Sequence, residues 1–172
     1  MSYPRTAYIA YGANLGDPRA QFERSLDCLR DHIGDVTCKS SLYATDAMNP
    51  PGMESQPVYL NAVVAVSSRD DPQVLLEKLQ RIEEKLGLQR EKKLFWGPRV
   101  IDLDFIALDD LVFNSNELSI PHPRLHERDF VLVPLAEIAP DWVHPLFKRT
   151  ALELLRAFEC SDMPRYIRAV HD

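Results

Sequence analysis

Two aspartates, Asp102 and Asp104, interrupt an apolar run at residues 100–108 whose β-branched and aromatic members favour a strand. Side chains alternate faces along a strand, so both carboxylates point the same way, with Cα atoms roughly 6.5–7 Å apart. Leu103 and Phe105 then point to the other face, towards a core. Like charges on one face repel each other and are costly to desolvate. A divalent cation relieves that cost. Mg²⁺ takes one or two carboxylates and completes its shell with phosphate oxygens and water. The same two acids could also sit on an open sheet surface facing water, and the strand alone leaves both readings open.

Directly upstream stands Trp96-Gly97-Pro98-Arg99, where a rigid Gly-Pro turn delivers an arginine to the edge of the acid-bearing strand. Arg90, Lys92 and Lys93 precede it in a loop. Cations beside a metal-binding pair suit polyphosphate chemistry, because they neutralise charge that moves as a bond to phosphate breaks. As single residues these cations are equally consistent with a solvated basic loop. Downstream, His122 sits between Pro121 and Pro123, which restrict its backbone, and Arg124 and Arg128-Asp129-Phe130 follow. His122 could contact a phosphate or a leaving oxygen, or be a structural histidine. Tyr59 and Asn61 share a face of another strand. A ring that stacks and an amide that reads an edge suit a flat heterocycle, although a plain cross-strand pair is the alternative. The chain has neither a Walker A sequence nor a G-x-G-x-x-G turn, and Gly12-Ala13-Asn14-Leu15-Gly16 by itself reads only as a turn.

The elements that must position these residues follow from periodicity and caps. Residues 6–11 read as a buried strand. Asp17-Pro18 opens a helix with the apolar stripe Phe22, Leu26, Leu29 and Ile33, stopped by Gly34. Residues 36–45 read as a second strand, 46–57 as a Pro-rich loop and 58–67 as a third, strongly apolar strand. Asp71-Pro72 opens a second helix with the same capping chemistry, the stripe Leu75, Leu79, Ile82 and Leu86, and Gly87 as its stop. A basic loop at 88–98 leads into the strand with the two acids. This β-α-β, β-α-β order predicts an α+β fold, a ferredoxin-like antiparallel sheet with both helices on one face, plus a C-terminal extension. Beyond it we expect a turn at Asp109-Asp110, a short strand at 111–113 and an extended piece at 118–122. A short helix or turn at 130–138, interrupted at Pro134, comes next. The last expected element is a helix at 150–158 with Leu152, Leu155 and Phe158 as its apolar face.

The chain has 172 residues, 45% of them hydrophobic and 27% charged, which suits one globular domain over 1–172. Its net charge of −6 argues against nucleic acid as a main partner. No apolar run is long enough for a membrane span and the N-terminus lacks a signal-peptide core, so a cytoplasmic location is expected. Cys28, Cys38 and Cys160 are odd in number and widely spaced, which suggests free thiols.

In this order, the segments closely resemble the 6-hydroxymethyl-7,8-dihydropterin pyrophosphokinase family, over about residues 7–145. The resemblance rests on Tyr11–Gly16, Tyr59–Val63, Gln80–Glu83, Ile120–Pro123 and Arg128–Phe130, and above all on Trp96–Asp104. It implies a ferredoxin-like fold and transfer of diphosphate from ATP to 6-hydroxymethyl-7,8-dihydropterin, with release of AMP, in folate synthesis. It implies two Mg²⁺ ions held by Asp102 and Asp104. Arg99, Arg90, His122 and Lys92 would contact the phosphates, with Gln80, Glu83 and Ser119 on the nucleotide side. Thr45 and Asn61 would hydrogen-bond the pterin, Tyr59 and Phe130 would sandwich it, and Trp96 and Arg128 would close over the site. The loops 46–57 and 88–98 would act as lids, and a monomer is expected. Leu88 stands where family members often carry arginine.

Two other readings use the same residues. A two-metal phosphohydrolase would use Asp102 and Asp104 and need further carboxylate or His ligands, which the sequence does not place. A ferredoxin-like binding module for RNA would want a basic balance, and two acids on a central strand would repel its ligand.

Overall fold

The structure, a computed structural model, describes residues 3–47, 51–52, 55–88 and 97–168. The expected strands and helices form in order. β1 (Arg5–Ala13), α1 (Pro18–His32) and a split second strand, β2 (Val36–Lys39) and β3 (Tyr43–Thr45), come first. β4 (Tyr59–Ser68), α2 (Pro72–Lys85) and β5 (Asp102–Leu108) complete the second unit. A hairpin of β6 (Phe113–Asn114) and β7 (Ser119–Ile120) follows, then a 3-10 turn (Leu125–Glu127), α3 (Asp129–Ile138), α4 (Ala151–Glu159) and a last strand β8 (Ile167–Arg168).

The main sheet runs β5-β1-β4-β3-β8, with β2 also paired to β4, and every pairing is antiparallel. That topology is ferredoxin-like, as the element order predicts. β5, however, is an edge strand and not a central one. The backbone N–H of His122 donates to the Ile106 carbonyl at 2.8 Å, covering part of that edge.

Helices lie on both faces. The stripes of α1 and α2 pack with Ile9, Tyr11, Val64, Leu103 and Phe105 on one face. On the other, α3 and α4 pack with Ala10, Val63 and Ile106. A register shift between Tyr8 and Ile9 places both Ile106 and Ala107 in this second core. Because Ala10 pairs with Asp104 and Gly12 with Asp102, both acids emerge on the α3 face, beyond the end of its apolar packing.

Several local expectations are corrected. Asp17 caps α1 by accepting the Ala20 N–H at 3.0 Å, but Asp71 makes no side-chain cap. Its carboxylate instead approaches Arg5 at 3.6 Å. Gly34 is required by proximity, since a Cβ there would lie 2.0 Å from the Ser67 carbonyl oxygen. Gly87 does take the left-handed conformation, with φ +102°, and Leu88 just after it is buried in the core. The single second strand breaks at Ser40–Leu42 because Glu137 on α3 accepts from the Ser41 N–H at 3.0 Å and the Tyr43 hydroxyl at 2.7 Å. The helix at α3 runs through Pro134, which is buried within it. α4 buries Ala151, Leu154 and Phe158, with Leu152 and Leu155 only half-buried. Among the described residues no helix is long and apolar enough to cross a membrane, and all three cysteines are free thiols.

The segment between α3 and α4 closes on His144, whose buried ring stacks on Phe147 at 4.3 Å. Its Nδ1 accepts the N–H groups of Leu146 at 3.2 Å and Phe147 at 3.3 Å. Burial, with His126 nearby, pushes its pKa down from 6.5 to about 4. The unfolded chain therefore binds the proton more readily, and the stability that neutral His144 supports is complete above about pH 6.5 and lost as pH falls towards 4. His122, also pushed down to about 4, acts in the same direction. We expect the urea midpoint to drop between about pH 7 and about pH 5. The drop should be shallower in His144→Asn, which keeps an acceptor and does not titrate. Equal slopes for the two proteins would exclude His144 as a contributor.

Candidate active site

Asp102 and Asp104 open into a cavity of about 480 Å³. Asp102 lies 3.7 Å from Arg99 Nη1, and Asp104 lies 3.5 Å from Arg128 Nη1. Part of the Asp104 side chain faces the cavity, but dense surrounding protein desolvates it. That burial and the neighbouring Asp102 raise its pKa to about 6, with Arg128 and Arg99 pulling the other way. Arg99 Nη1 and Arg128 Nε are buried with no hydrogen-bond partner among the described residues. The centre thus holds two crowded anions and two arginines with donor capacity to spare, which suits a polyphosphate bound with cations.

One side of the same cavity is walled by Tyr59, Asn61, Thr45, Phe130 and Arg128. Asn61 donates through Nδ2 to the Thr45 hydroxyl at 2.7 Å, and both side chains are buried. Gly12 forms the floor beneath them: a Cβ there would sit 3.1 Å from Asn61 Oδ1 and 3.9 Å from the Tyr59 ring. The Tyr59 hydroxyl donates to the Gly97 carbonyl at 2.9 Å, tying its ring to the turn that carries Arg99. Arg128 lies over the Phe130 ring at 5.7 Å. Aromatic faces, an oriented amide and a hydroxyl make a slot for a flat polar ring.

A second cavity, about 350 Å³, adjoins the first and shares Asp104 and His122 with it. Leu76, Leu118 and Ser119 line it. His122 Nδ1 accepts the Arg124 N–H at 3.1 Å, which leaves the ring proton on Nε2. Burial, with Arg128 and Arg124 nearby, lowers its pKa to about 4 and keeps it a neutral donor. Gln80 and Glu83 are not among the residues lining either cavity. Gln80 is half-buried one turn beyond Leu76, and Glu83 is buried with its Oε1 accepting the Leu103 N–H at 2.8 Å. Glu83 thereby holds the backbone of β5 between the two acids. Arg90, Lys92 and Trp96 lie outside the described residues, as do parts of the loops 46–57 and 88–98.

Asn14, which the sequence presents only as part of a turn, is the organiser of this end of the site. Its Oδ1 accepts the Arg99 N–H at 2.7 Å, and its backbone N–H donates to the Arg99 carbonyl at 2.9 Å. Its Nδ2 donates to the Pro57 carbonyl at 3.0 Å. One buried amide thus sets both the arginine turn and the chain entering β4. A polar residue placed just past a buried strand was the only sequence signal for this role.

Fold and site together fit a phosphotransfer enzyme, with a carboxylate pair and arginines set between an aromatic-walled slot and a second cavity. A sequence profile of the 7,8-dihydro-6-hydroxymethylpterin-pyrophosphokinase family matches residues 8–140. The 2-amino-4-hydroxy-6-hydroxymethyldihydropteridine pyrophosphokinase of Methylorubrum extorquens is 42% identical over 160 residues, covering 92% of this chain and 97% of that protein. The enzymes of that name from Bacillus subtilis and Synechocystis are 43% identical over 133 residues and 39% identical over 156. Each of those two matches covers 77% of the relative, and they cover 77% and 90% of this chain respectively. A crystal structure of Plasmodium falciparum HPPK-DHPS shares the fold, with TM-score 0.74 at 15% identity. It is matched over 91% of this chain, which spans 42% of that longer chain. The chain belongs to the 7,8-dihydro-6-hydroxymethylpterin-pyrophosphokinase family. Its activity is transfer of diphosphate from ATP to 6-hydroxymethyl-7,8-dihydropterin in folate biosynthesis.

Replacing Asn14 by Ala leaves the Arg99 N–H and the Pro57 carbonyl without their partner, an expected loss of about 1–3 kcal/mol of stability. Turnover should fall further than this, because Arg99 loses its aim. Asn14→Asp keeps the acceptor for Arg99 and should retain more turnover than Asn14→Ala. Urea unfolding and steady-state kinetics test this, and wild-type values for Asn14→Ala would remove Asn14 from the role.

Proposed function

We propose that the diphosphate passes between substrates where the two cavities meet, at Asp104 and His122. The supporting observation is that these two residues line both spaces while Asp102, Arg99 and Arg128 crowd around them. The pterin lies in the slot between Tyr59 and Phe130, with its edge on Asn61 and Thr45. The nucleotide extends into the cavity beside Ser119 and Leu76. Gln80 and Glu83 support that side from α2, and the family resemblance adds Arg90 and Lys92 as phosphate contacts and Trp96 as a pterin contact.

Asp102 and Asp104 are the residues that would hold two Mg²⁺ ions. The fit follows from their mutual repulsion and from ligand number. Among the described residues no cluster of three His, Cys, Asp or Glu could cage a metal, whereas Mg²⁺ needs only one or two carboxylates when phosphate oxygens complete its shell. When bound, the ions supply positive charge across the transferring phosphates. Arg99, Arg128 and neutral His122 donate to phosphate oxygens, stabilising the charge that builds on them. The aromatic slot holds the pterin hydroxyl in line with the β-phosphorus. An oxygen–phosphorus bond forms there, the bond to the bridging oxygen breaks, and AMP leaves with that oxygen.

A monomeric, single-domain enzyme is the form we propose, and the net charge of −6 favours small-molecule substrates over nucleic acid. Free thiols suit the reducing cytoplasm.

With ATP, Mg²⁺ and 6-hydroxymethyl-7,8-dihydropterin, the purified protein should form AMP and pterin diphosphate in equal amounts, with neither product when pterin or metal is left out. ADP or free phosphate would point to the hydrolase chemistry instead. Asp102→Asn and Asp104→Asn should each lower kcat roughly 100-fold or more. Both should fold at least as stably as the parent, because each relieves the repulsion between the acids. Near-full activity in either variant would sink the carboxylate assignment. Tyr59→Ala should weaken pterin binding about tenfold with ATP binding unchanged. Equal losses for both ligands in calorimetry would rule out the ring slot.

A further inference from the structure

The sequence profile of the family ends at residue 140, yet the last described strand reaches the site from beyond it. β8 pairs with β3, placing Ile167 opposite Thr45 and Arg168 opposite Ala44. The Asp46 N–H donates to the Tyr166 carbonyl at 2.9 Å, and Arg168 pairs with the Asp46 carboxylate. Thr45 and Asp46 wall the ring slot. Across the slot, Phe130 meets the Tyr166 ring edge-on at 6.2 Å between centroids. The tail therefore touches both walls.

What holds the tail there is Asp129, a buried carboxylate that the diphosphate transfer does not use. Its Oδ2 accepts the N–H groups of Tyr166 at 2.7 Å and Ile167 at 2.9 Å. Its Oδ1 accepts the N–H of Phe130 at 2.8 Å. One side chain, with both oxygens engaged, fastens the C-terminal strand to the residue that forms a wall of the slot. Burying a carboxylate is costly unless its oxygens are satisfied, so this site is built to hold that strand.

We infer that Asp129 is a positioning residue for pterin binding, acting through β8 to fix the spacing between Thr45–Asp46 and Phe130. This rests on the ring-slot reading of the same cavity. The nucleotide cavity shares no residue with this contact set, so its ligand is unaffected.

The test uses full-length protein. Asp129→Asn has a single acceptor oxygen and cannot serve both the tail and Phe130. Its KM and Kd for 6-hydroxymethyl-7,8-dihydropterin should rise roughly tenfold, with KM for ATP and kcat at saturating pterin within about twofold of the parent. Ile167→Pro removes the N–H that reaches Asp129 and leaves α3 untouched, so it should give the same split even where Asp129→Asn folds poorly. Hydrogen exchange at the Tyr166 amide should accelerate in both variants. Three results overturn the inference: an exposed tail with unchanged pterin KM, a tail amide still protected in Asp129→Asn, or pterin and ATP constants rising together. A parent protein that binds ATP but no pterin would instead remove the ring-slot reading itself.

Discussion

Two carboxylates two residues apart on one strand repel each other wherever that strand is placed, and the rest of the site is arranged around this repulsion. Burial raises the pKa of Asp104 and Asp102 raises it further, while Arg128 and Arg99 offset both. Glu83 accepts the intervening Leu103 N–H, which ties β5 to α2 between the two acids. Gly12, the partner of Asp102 on β1, contributes no side chain to the space between the acids and the slot. Keeping such a pair crowded costs stability when no cation offsets the repulsion.

The position of β5 at the sheet edge gives the carboxylate pair space on both flanks. On a central strand the acids would be flanked by neighbouring strands on both sides. At the edge, the outer flank is open to the His122 segment and the β6–β7 hairpin, which build the second cavity. The inner flank belongs to β1 and β4, whose Tyr59 and Asn61 build the slot. Asp104 and His122 stand at the boundary, and Asn14 fixes the arginine turn to the sheet at the same end. Strands carry the acids and one wall of the slot, α3 brings Phe130 and Arg128, and Arg99 comes from a turn held by Asn14.

Where local patterns mislead, a distant side chain has captured a local group. The second strand breaks because Glu137, nearly a hundred positions away, takes the Ser41 and Tyr43 donors. Asp71 looks like a cap, but Arg5 draws its carboxylate off. Glu83, which the family resemblance puts on the nucleotide side, also accepts the Leu103 N–H of β5. Asn14 reads only as part of a turn and Asp129 only as part of Arg128-Asp129-Phe130, since nothing local shows that each ties together segments far apart in the chain.

Most of the elements, and which side chains share a face in them, are written in the amino-acid order alone, because the 2.0 and 3.6 periodicities are local properties of backbone geometry. Asp102 with Asp104, Tyr59 with Asn61, and the stripes of α1 and α2 are therefore legible from the chain itself. The place of β5 at an edge and the covering of the second face by α3 and α4 arise only when the chain folds. So do the bridging of two cavities by His122 and the return of the tail beside Thr45. Those outcomes depend on pairings between residues remote in sequence, whose energies no local pattern encodes.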